Sequence, residues 1–440
     1  MLWKIAICLT LGAQLMALSC STPQSLTRFE PKTDIYELKL FVNDNKDAAV
    51  LCNLKETDGI FYLVAQNALG AKWSEPYVLA KSKEANAHRL VGRLDTNGNV
   101  FAAWQLCENS MLSTERCPIQ WAMKTAQEMW CLDPQFYSYK GHYFHAMAMD
   151  PRGKIFYVGS ENKHMYFSIL DRYRPCCESL FVRIPESHYC IKSDVAYGQK
   201  EVAFAAWITQ QTIAKGWSTS VQYTFEGLFY KGSREWSSPV KIYEMTLPDT
   251  NNIPIVMLKV ILDSQDNPTI VWQQYEKDKS KLRAMTHTKE GWIGPHDLCE
   301  LTSWIADLQL AYDKKDNLAA LWYSHQDGKA FVHVANKPAS QEWLPSKIIR
   351  NAWVKDPRLA SDLQGHFLAV WREEPTYDSN VIWGSIYSEE FSAWSKPVQL
   401  SPQGKYSHPA IAFTEAGKGY IAWIQEGEKK EIQVAEISLR

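Results

Sequence analysis

The stretch 94–104, Leu-Asp-Thr-Asn-Gly-Asn-Val-Phe-Ala-Ala-Trp, constrains the fold of this chain more than any other. Asp95 and Asn97-Gly98 are turn-forming residues, because Asp and Asn bond their own backbone and Gly accepts a positive φ. Residues 100–104 are an apolar run of β-forming residues, typical of a strand buried on both faces. The stretch therefore predicts a strand end, a tight turn and a buried strand that closes on a tryptophan.

The same pattern returns seven more times along the chain. In each copy, turn residues precede a short apolar strand, and the first copy, at 43–52, is degraded. The closing positions are residues 52, 104, 159, 207, 272, 322, 371 and 423. Their spacing of 48 to 65 residues is typical of propeller or solenoid repeats. β-forming residues throughout favour a propeller.

A second motif, a tryptophan followed closely by a proline, repeats with the first. The proline comes three residues later in four copies and two residues later in a shortened fifth copy; these tryptophans are Trp73, Trp236, Trp292, Trp394 and Trp343. Proline has no N–H to give to a ladder, so it suits an edge strand or the first residue of a strand. We interpret the motif as the outermost strand of a four-stranded blade.

These two motifs predict an all-β fold, a β-propeller of four-stranded antiparallel blades. Eight blades are favoured, with seven as the alternative. The blades are expected near residues 36–81, 88–136, 142–186, 188–245, 256–300, 306–350, 356–400 and 407–440.

The eighth unit ends before a Trp-Pro motif can follow it. An open sheet edge is an aggregation liability, so another segment should cover it. Residues 25–29 are the available segment. We therefore predict an N-terminal strand at 25–29 that pairs with a strand at 431–437 and closes the propeller.

The N-terminus has the pattern of an export signal. Lys4 precedes an apolar run at 5–18 that is too short for a membrane-spanning helix, so residues 1–19 are interpreted as a signal peptide. Ser19-Cys20 resembles the end of a bacterial lipobox, although Ala17 stands where that family prefers Leu. The resemblance implies cleavage before Cys20 and a lipid on Cys20. Ser21 resembles the outer-membrane sorting class, and 20–35 would be the tether and closing strand.

An unmodified secreted or periplasmic protein is the alternative to this lipid anchor, and the face of the membrane stays open. Export also permits disulfides. Six of the remaining cysteines are concentrated in the second and third blades: Cys107, Cys117, Cys131, Cys176, Cys177 and Cys190. Cys107 and Cys117 flank one loop and are the candidate disulfide, while the full connectivity stays open. Cysteine and histidine spacings match no tight metal-binding pattern, so neither a metal nor a cofactor is expected.

A second resemblance concerns residues 181–185, Phe-Val-Arg-Ile-Pro. They resemble the Arg-Ile-Pro motif of sialidases, whose arginine holds a sugar carboxylate bidentately. Residues 264–266, Ser-Gln-Asp, distantly resemble the sialidase Asp-box, but Pro268 replaces its glycine and no arginine triad or Tyr–Glu pair can be assigned. The resemblance implies a degenerate sialidase-like propeller with Arg183 as a weak candidate for the sugar-carboxylate site. The alternative is a solvated strand arginine.

The recurring turn aspartates and closing tryptophans are interpreted structurally. The aspartates Asp95, Asp150, Asp263, Asp313 and Asp362 occupy one repeated slot, which favours turn formation over calcium binding or paired catalytic carboxylates. The tryptophans are expected to form a packing layer between blades. No catalytic residue is assigned.

Composition excludes one class of partner. The net charge is −2 and both signs are spread along the chain, so a nucleic-acid partner is not expected.

We expect an exported, lipid-anchored propeller that acts as a non-catalytic binding or scaffold module at the cell envelope, for a protein or glycan ligand. The alternative is a carbohydrate-active, sialidase-like enzyme or a lectin. An enzyme should gather carboxylates and arginines, and a scaffold should expose an apolar or aromatic patch.

Overall fold

The computed structural model describes residues 18–439, apart from 31, 46, 70–71, 84, 109–118, 126–129, 134–142, 151, 162–163, 172–173, 186–187, 199, 216–217, 233–234, 249–254, 277, 327, 377–378, 391 and 415. All regular secondary structure in these residues is β. They therefore contain no helix with the length and apolar character that crossing a membrane requires.

The described part of the chain holds thirty-five strands. In chain order they are β1 (Leu18–Cys20), β2 (Gln24–Phe29), β3 (Asp34–Val42), β4 (Ala48–Lys55), β5 (Phe61–Leu69), β6 (Lys72–Trp73), β7 (Tyr77–Ser82), β8 (Ala85–Leu94), β9 (Val100–Glu108), β10 (Ile119–Lys124), β11 (Cys131–Asp133), β12 (Tyr143–Met149), β13 (Ile155–Glu161), β14 (His164–Asp171), β15 (Arg174–Arg183), β16 (Tyr189–Tyr197), β17 (Ala203–Lys215), β18 (Ser218–Tyr230), β19 (Val240–Pro248), β20 (Ile255–Leu262), β21 (Pro268–Glu276), β22 (Lys279–Thr288), β23 (Gly291–Leu301), β24 (Trp304–Tyr312), β25 (Leu318–Gln326), β26 (Lys329–Lys337), β27 (Lys347–Asn351), β28 (Val354–Ser361), β29 (His366–Thr376), β30 (Ser379–Ser388), β31 (Ala393–Trp394), β32 (Val398–Gln399), β33 (Lys405–Phe413), β34 (Gly419–Glu426) and β35 (Lys430–Leu439).

These strands form eight antiparallel sheets in the described residues, and the fold is an eight-bladed β-propeller. Blades 2 to 6 are the consecutive quartets β8–β11, β12–β15, β16–β19, β20–β23 and β24–β27. In blades 1 and 7 the outermost strand is broken into two pieces, β6 with β7 and β31 with β32. The break contains the proline of the Trp-Pro motif, which cannot donate to the ladder. The predicted fold class, the preference for eight blades and the outer position of the motif are confirmed.

Two compact units can be described. Unit 1 comprises Met1–Phe101, Ala122–Leu132 and Trp304–Arg440, and unit 2 comprises Ala102–Trp121 and Asp133–Ser303. Each unit has its own apolar core. In unit 2 the rings of Phe225 and Trp272 lie 4.8 Å apart between centroids, which typifies how aromatic side chains fill the space between blades.

The second strand of most blades carries the closing tryptophan, and none of these side chains is more than 1% exposed: Trp104, Trp207, Trp272, Trp322, Trp371 and Trp423. Each lies in a run of buried residues, as expected for a strand covered on both faces. The expected packing layer is therefore confirmed.

The repeated aspartates close the turns between first and second strands. Asp95 Oδ1 accepts hydrogen bonds from the backbone N–H groups of Asn97 (2.9 Å) and Asn99 (2.8 Å). Asp313 Oδ1 does the same for Lys315 (2.8 Å) and Asn317 (2.9 Å). This is the side-chain turn chemistry that the repeated slot predicts.

Blade 8 is completed by the N-terminus. β33, β34 and β35 form its first three strands, and β1 and β2 both pair with β35. In the β2 register, Gln24 faces Val434 and Phe29 faces Lys430. Phe29 is buried in the core cluster that contains Ile432. The predicted pairing of an N-terminal strand with the last strand is confirmed.

Candidate functional site

The first strands of blades 6, 7 and 8 contain a bulge at one common position. In unit 1, β28 packs beside both β24 and β33. Asp307, Asp356 and His408 have positive φ values of 50°, 55° and 52°, and the register of each strand shifts there. Positive φ at non-glycine residues costs on the order of 1–3 kcal/mol and is concentrated at functional sites. Bulges of this kind re-aim a side chain away from the regular pleat.

A network of ion pairs surrounds the bulge of blade 7. Asp356 Oδ2 lies 3.1 Å from Arg372 Nε, and Arg372 Nη1 lies 3.1 Å from Glu374 Oε1. Lys355 Nζ in turn lies 3.0 Å from Glu374 Oε2. The Arg372 side chain is only 16% exposed, so these pairs are less screened than an ordinary surface pair. The network fixes two carboxylates and a guanidinium in one place.

Arg358 differs from its neighbours, because it has no carboxylate within ion-pair distance in the part of the chain that the structure describes. It follows the blade 7 bulge and is half-buried. Its Nη1 donates a hydrogen bond of 2.9 Å to the carbonyl oxygen of Pro357. A guanidinium has five N–H donors, so Arg358 retains donors for a carboxylate or hydroxyl ligand.

His408 occupies the bulge of blade 8. Its Nδ1 is buried and has no hydrogen-bond partner. Burial lowers the pKa of His408, opposed by the carboxylates of Asp356 and Glu426 and assisted by the cations Arg372 and Arg358. The imidazole is therefore neutral at neutral pH. Glu426 itself accepts a hydrogen bond of 2.8 Å from Ser407 Oγ.

Three aromatic rings form a second feature, here called the aromatic row: Trp304, His325 and Trp353. Trp304 is 51% exposed and Trp353 is 52% exposed. His325 lies between them, with ring-centroid separations of 6.1 Å to Trp304, in a stacked arrangement, and 5.8 Å to Trp353. Exposed aromatic patches on a soluble protein commonly mark interaction sites.

Tyr323 joins the aromatic row to the ion-pair network. Its ring meets those of Trp304 and His325 edge-to-face at 5.9 Å and 5.3 Å. Burial, reinforced by the carboxylates of Asp307 and Asp356, raises the pKa of Tyr323 to about 12. The phenol is therefore neutral and lies within electrostatic range of the same Asp356 that pairs with Arg372.

The second part of the site is here called the charged cluster: Asp356, Arg358, Arg372, Glu374, His408 and Glu426. Its carboxylates accept hydrogen bonds, its guanidinium groups donate them, and the neutral imidazole can do either. A few polar groups fixed beside aromatic surface are the usual composition of a small-molecule site. The arrangement suits a ligand with many hydroxyl groups.

Sequence reasoning missed these residues, although the repeat contains a signal for them. Asp307, Asp356 and His408 each stand fifteen residues before a closing tryptophan, at 322, 371 and 423. Tyr323 and Arg372 follow their tryptophans directly, and His325, Glu374 and Glu426 stand three residues after them. Aligning the repeats on the tryptophan would have identified these repeated polar positions, but not which of them lie together.

Arg183, the sialidase-like candidate, lies in unit 2. It is exposed on β15, the outermost strand of blade 3, where it faces His164 in the register. Neither residue belongs to the charged cluster, which unit 1 contains. Arg183 therefore belongs to a different unit from the residues that we place in the site.

Cys20 ends β1 and faces Ile437 in the register. It borders an apolar cavity of about 300 Å³ lined mainly by Leu18, Pro23, Val398 and Leu400. Burial raises the pKa of the Cys20 thiol to about 12.

The predicted Cys107–Cys117 disulfide falls outside what the structure describes, because Cys117 and the side chain of Cys107 are not among the described parts. The described thiols that are unpaired are Cys20, Cys52, Cys131, Cys190 and Cys299. Within the described residues, no group of three or more His, Cys, Asp or Glu side chains is placed to hold a metal ion.

No protein-family model matches this chain, and no curated protein matches it. Solved structures are similar in architecture. A protein of unknown function from Dyadobacter fermentans has a TM-score of 0.43 and 10% identity, covering 82% of this chain and 96% of that one. A polysaccharide lyase, an ulvan lyase, has a TM-score of 0.48 and 10% identity, covering 86% of this chain and 95% of that one.

A sialidase from Streptococcus pneumoniae is similar over 96% of this chain and 72% of its own, with a TM-score of 0.39 and 10% identity. At 10% identity these likenesses concern architecture, and a fold of this kind does not determine a ligand.

Proposed function

We propose that this protein is an exported, lipid-anchored β-propeller that binds a glycan at the cell envelope without turning it over. The proposal for export and anchoring is supported by the apolar leader that ends in Ser19-Cys20. The proposal for the ligand is supported by one observation above the others. The aromatic row adjoins the charged cluster, because the backbone N–H of Glu374 donates a hydrogen bond of 2.9 Å to the carbonyl oxygen of Trp353, and the ring of Tyr323 contacts those of Trp304 and His325.

A glycan matches both parts of this site. The C–H faces of a sugar ring are apolar and flat enough to cover an exposed indole, which removes its apolar surface from water. The hydroxyls of the same ring can exchange hydrogen bonds with the carboxylates and guanidinium groups of the charged cluster. Arg358, which has no acidic partner in the described residues, adds a donor for a carboxylate on the sugar.

The test is a binding screen of the purified protein against immobilised acidic and neutral glycans, followed by calorimetry on those retained. Arg358→Gln removes the available guanidinium. A hydrogen bond to a charged group contributes about 1.5–3 kcal/mol, so affinity for a carboxylate-bearing glycan should fall on the order of tenfold to hundredfold.

Lys315→Gln is the matched control, because it also removes one positive charge from unit 1. Lys315 is exposed and pairs with Glu389 at 2.6 Å. Trp304 begins β24, whereas Lys315 lies in the turn that follows the other end of that strand. Lys315→Gln should bind like the parent protein. If no glycan is retained, or if both variants lose affinity equally, the proposed ligand class is rejected.

An enzyme acting on acidic polysaccharides is the second candidate, and His408 favours it. Burial keeps the imidazole neutral, which is the protonation state required of a general base. The neighbouring cations Arg358 and Arg372 would neutralise the carboxylate of a bound uronate.

Turnover separates the two candidates. The parent protein and His408→Gln are incubated with each retained polysaccharide, and new chain ends are measured with time. Chain ends produced by the parent and lost in His408→Gln, with binding retained, would establish the enzyme. Binding without new chain ends supports the binding module.

A further inference from the structure

We infer that the aromatic row binds successive rings of a glycan chain, so that the site takes an internal segment of a polymer and not a single terminal sugar. This inference rests on the proposed glycan-binding function and adds the form of the ligand. It assigns Trp304 and Trp353 as the residues that determine chain-length preference.

The spacing of the rings in the aromatic row supports two separate sugar subsites. Trp304 and Trp353 are about equally exposed, and the His325 ring separates them at 6.1 Å and 5.8 Å between centroids. Each indole contacts the His325 ring, and among the described residues no ring contact joins the two indoles, so we assign them to two different sugar rings.

The connection between the aromatic row and the charged cluster supports one continuous binding site. Trp304 meets Tyr323 edge-to-face, and Tyr323 lies within electrostatic range of Asp356. The backbone N–H of Glu374 also donates a hydrogen bond of 2.9 Å to the carbonyl oxygen of Trp353, so the row adjoins the charged cluster. A ring seated on the charged cluster leaves its neighbours in the chain to stack on the aromatic row.

The two indoles occupy equivalent positions in neighbouring blades. Trp304 begins β24, and Trp353 immediately precedes β28, so the first strands of neighbouring blades present them at the same level. The two residues stand eighteen positions before Trp322 and Trp371, respectively, which makes them equivalent in the repeat. Paired, repeat-related platforms suit a ligand that is itself a repeating chain.

Linked subsites predict an affinity that grows with chain length. Once one ring is bound, the next ring reaches its indole at a high effective concentration, so its binding adds affinity. A single sugar obtains no such gain. The polymer should therefore bind at least tenfold more tightly than its own monosaccharide, compared per site.

The experiment uses affinity electrophoresis of the full mature protein in gels that contain polygalacturonate, alginate, hyaluronan or neutral xylan, with the matching monosaccharides as competitors. Trp304→Ala and Trp353→Ala should each lose at least tenfold in affinity for the retarding polymer. Trp304→Phe and Trp353→Phe keep a stacking ring and should recover most of it.

Ile348→Ala is the control, because Ile348 is an exposed apolar residue on β27, the outermost strand of blade 6. It should leave retardation unchanged, and thermal unfolding of every variant should match the parent. Two results would overturn the inference and leave glycan binding intact. In the first, the monosaccharide competes for binding as effectively as the polymer does. In the second, the alanine variants bind the polymer like the parent protein. Retardation by none of the polymers, together with no binding of the monosaccharides, would reject the proposed function itself.

Discussion

Ser25 Oγ donates a hydrogen bond of 2.6 Å to Glu431 Oε2, which joins two residues 406 positions apart in the chain. The contact is part of a clasp, defined here as β2 paired with β35. Arg28 Nε also lies 2.6 Å from Glu431 Oε1, but Arg28 is exposed, so the pair contributes little by itself. The stability of the clasp should come from Phe29, which is buried in the core of blades 1 and 8.

The clasp gives the first prediction. Phe29→Ala should cost about 3 kcal/mol, because large-to-small changes of a buried phenylalanine lose transfer energy and leave a cavity. Deletion of residues 24–29 should destabilise blade 8 further, since it leaves the edge of β35 unpaired. The measurements are the melting temperature and the protease resistance of residues 405–439.

Ser25→Ala is the control for this prediction, because it removes one exposed hydrogen bond and leaves the backbone pairing. We expect a change within about 1 kcal/mol. Should the deletion leave both melting and proteolysis unchanged, residues 24–29 would be a tether and not a structural strand.

The second prediction concerns the repeated turns. Asp313 is buried, and its Oδ2 also accepts a hydrogen bond of 2.7 Å from Asn317 Nδ2. Asp313→Ala leaves these buried donors unsatisfied and should cost about 1–3 kcal/mol. Because the carboxylate serves the turn, chelation of calcium should leave the melting temperature of the parent protein unchanged. A large loss of stability on adding a chelator would instead identify a metal site.

The sequence predicted the scaffold well, for a physical reason. Each blade needs a bulky side chain that packs against the next blade, as Trp371 does, and a side chain that bonds the backbone of the turn, as Asp362 does. Because these requirements repeat in each unit, the tryptophans and aspartates repeat in the sequence. The missing outer strand of the last unit likewise followed from the need to cover an open edge.

The candidate site could not be predicted in the same way, because it depends on contacts between units of the repeat. Asp356 and Arg372 come from adjacent strands of one blade, whereas His408 belongs to the next blade and Tyr323 to the preceding one. The neighbouring residues in the sequence do not mark Arg358 as a site residue, whereas Arg183 begins a three-residue motif that resembles one of sialidases. The bulges at Asp356 and His408, which no composition rule marks in β28 or β33, also change the direction of the side chains there.

The third prediction is that Cys107 and Cys117 form a disulfide. Closing a short loop stabilises a fold by about 2–3 kcal/mol through the unfolded state. Cys107→Ser and Cys117→Ser should therefore each lower the free energy of unfolding by a similar amount, and the double variant should lose no more than either. Additive losses, or peptide mapping under non-reducing conditions that finds both thiols free, would contradict the pairing.

The fourth prediction is acylation of Cys20. Cells labelled with a fatty-acid analogue should yield labelled protein in the membrane fraction, and Cys20→Ser should be unlabelled. An unlabelled parent protein that is released into the soluble fraction on cell breakage would count against the anchor.

Leu18 offers a second measurement of the same cleavage. It is 4% exposed and packs in a core cluster with Leu400 and Ile437, and the proposed cleavage before Cys20 would remove it. In protein purified from the membrane fraction of cells, Leu18→Ala should therefore leave the free energy of unfolding unchanged. A loss of about 2–5 kcal/mol in that protein would show that Leu18 is retained.

The fifth prediction is a loss of stability in acid that His333 controls. Ser324 Oγ and His333 Nε2 lie 2.8 Å apart, and the His333 ring stacks on Trp322 with an interplanar angle of 3°. The side chain is 5% exposed, and burial lowers its pKa to about 4. In the unfolded chain its pKa returns to about 6.5, so between these values the unfolded state binds a proton that the folded state excludes. Stability should fall by about 3 kcal/mol as the pH decreases through that window.

His333→Gln cannot titrate and keeps a hydrogen-bonding group for Ser324, so the free energy of unfolding of this variant should depend less on pH between 6.5 and 4. His366→Gln is the matched control with the opposite sign. His366 Nδ1 donates a hydrogen bond of 2.7 Å to Asp362 Oδ2, which raises the pKa of His366, so the stabilisation is complete below the unfolded pKa of about 6.5 and is lost as the pH rises through the higher folded-state pKa. Denaturant unfolding from pH 4 to 8 should therefore show two opposite trends. The destabilisation caused by His333→Gln should shrink as the pH falls from about 6.5 to 4, whereas that caused by His366→Gln should grow as the pH falls towards about 6.5 and then stay constant. A difference between parent and His333→Gln that stays constant with pH would mean that His333 does not control the acid response.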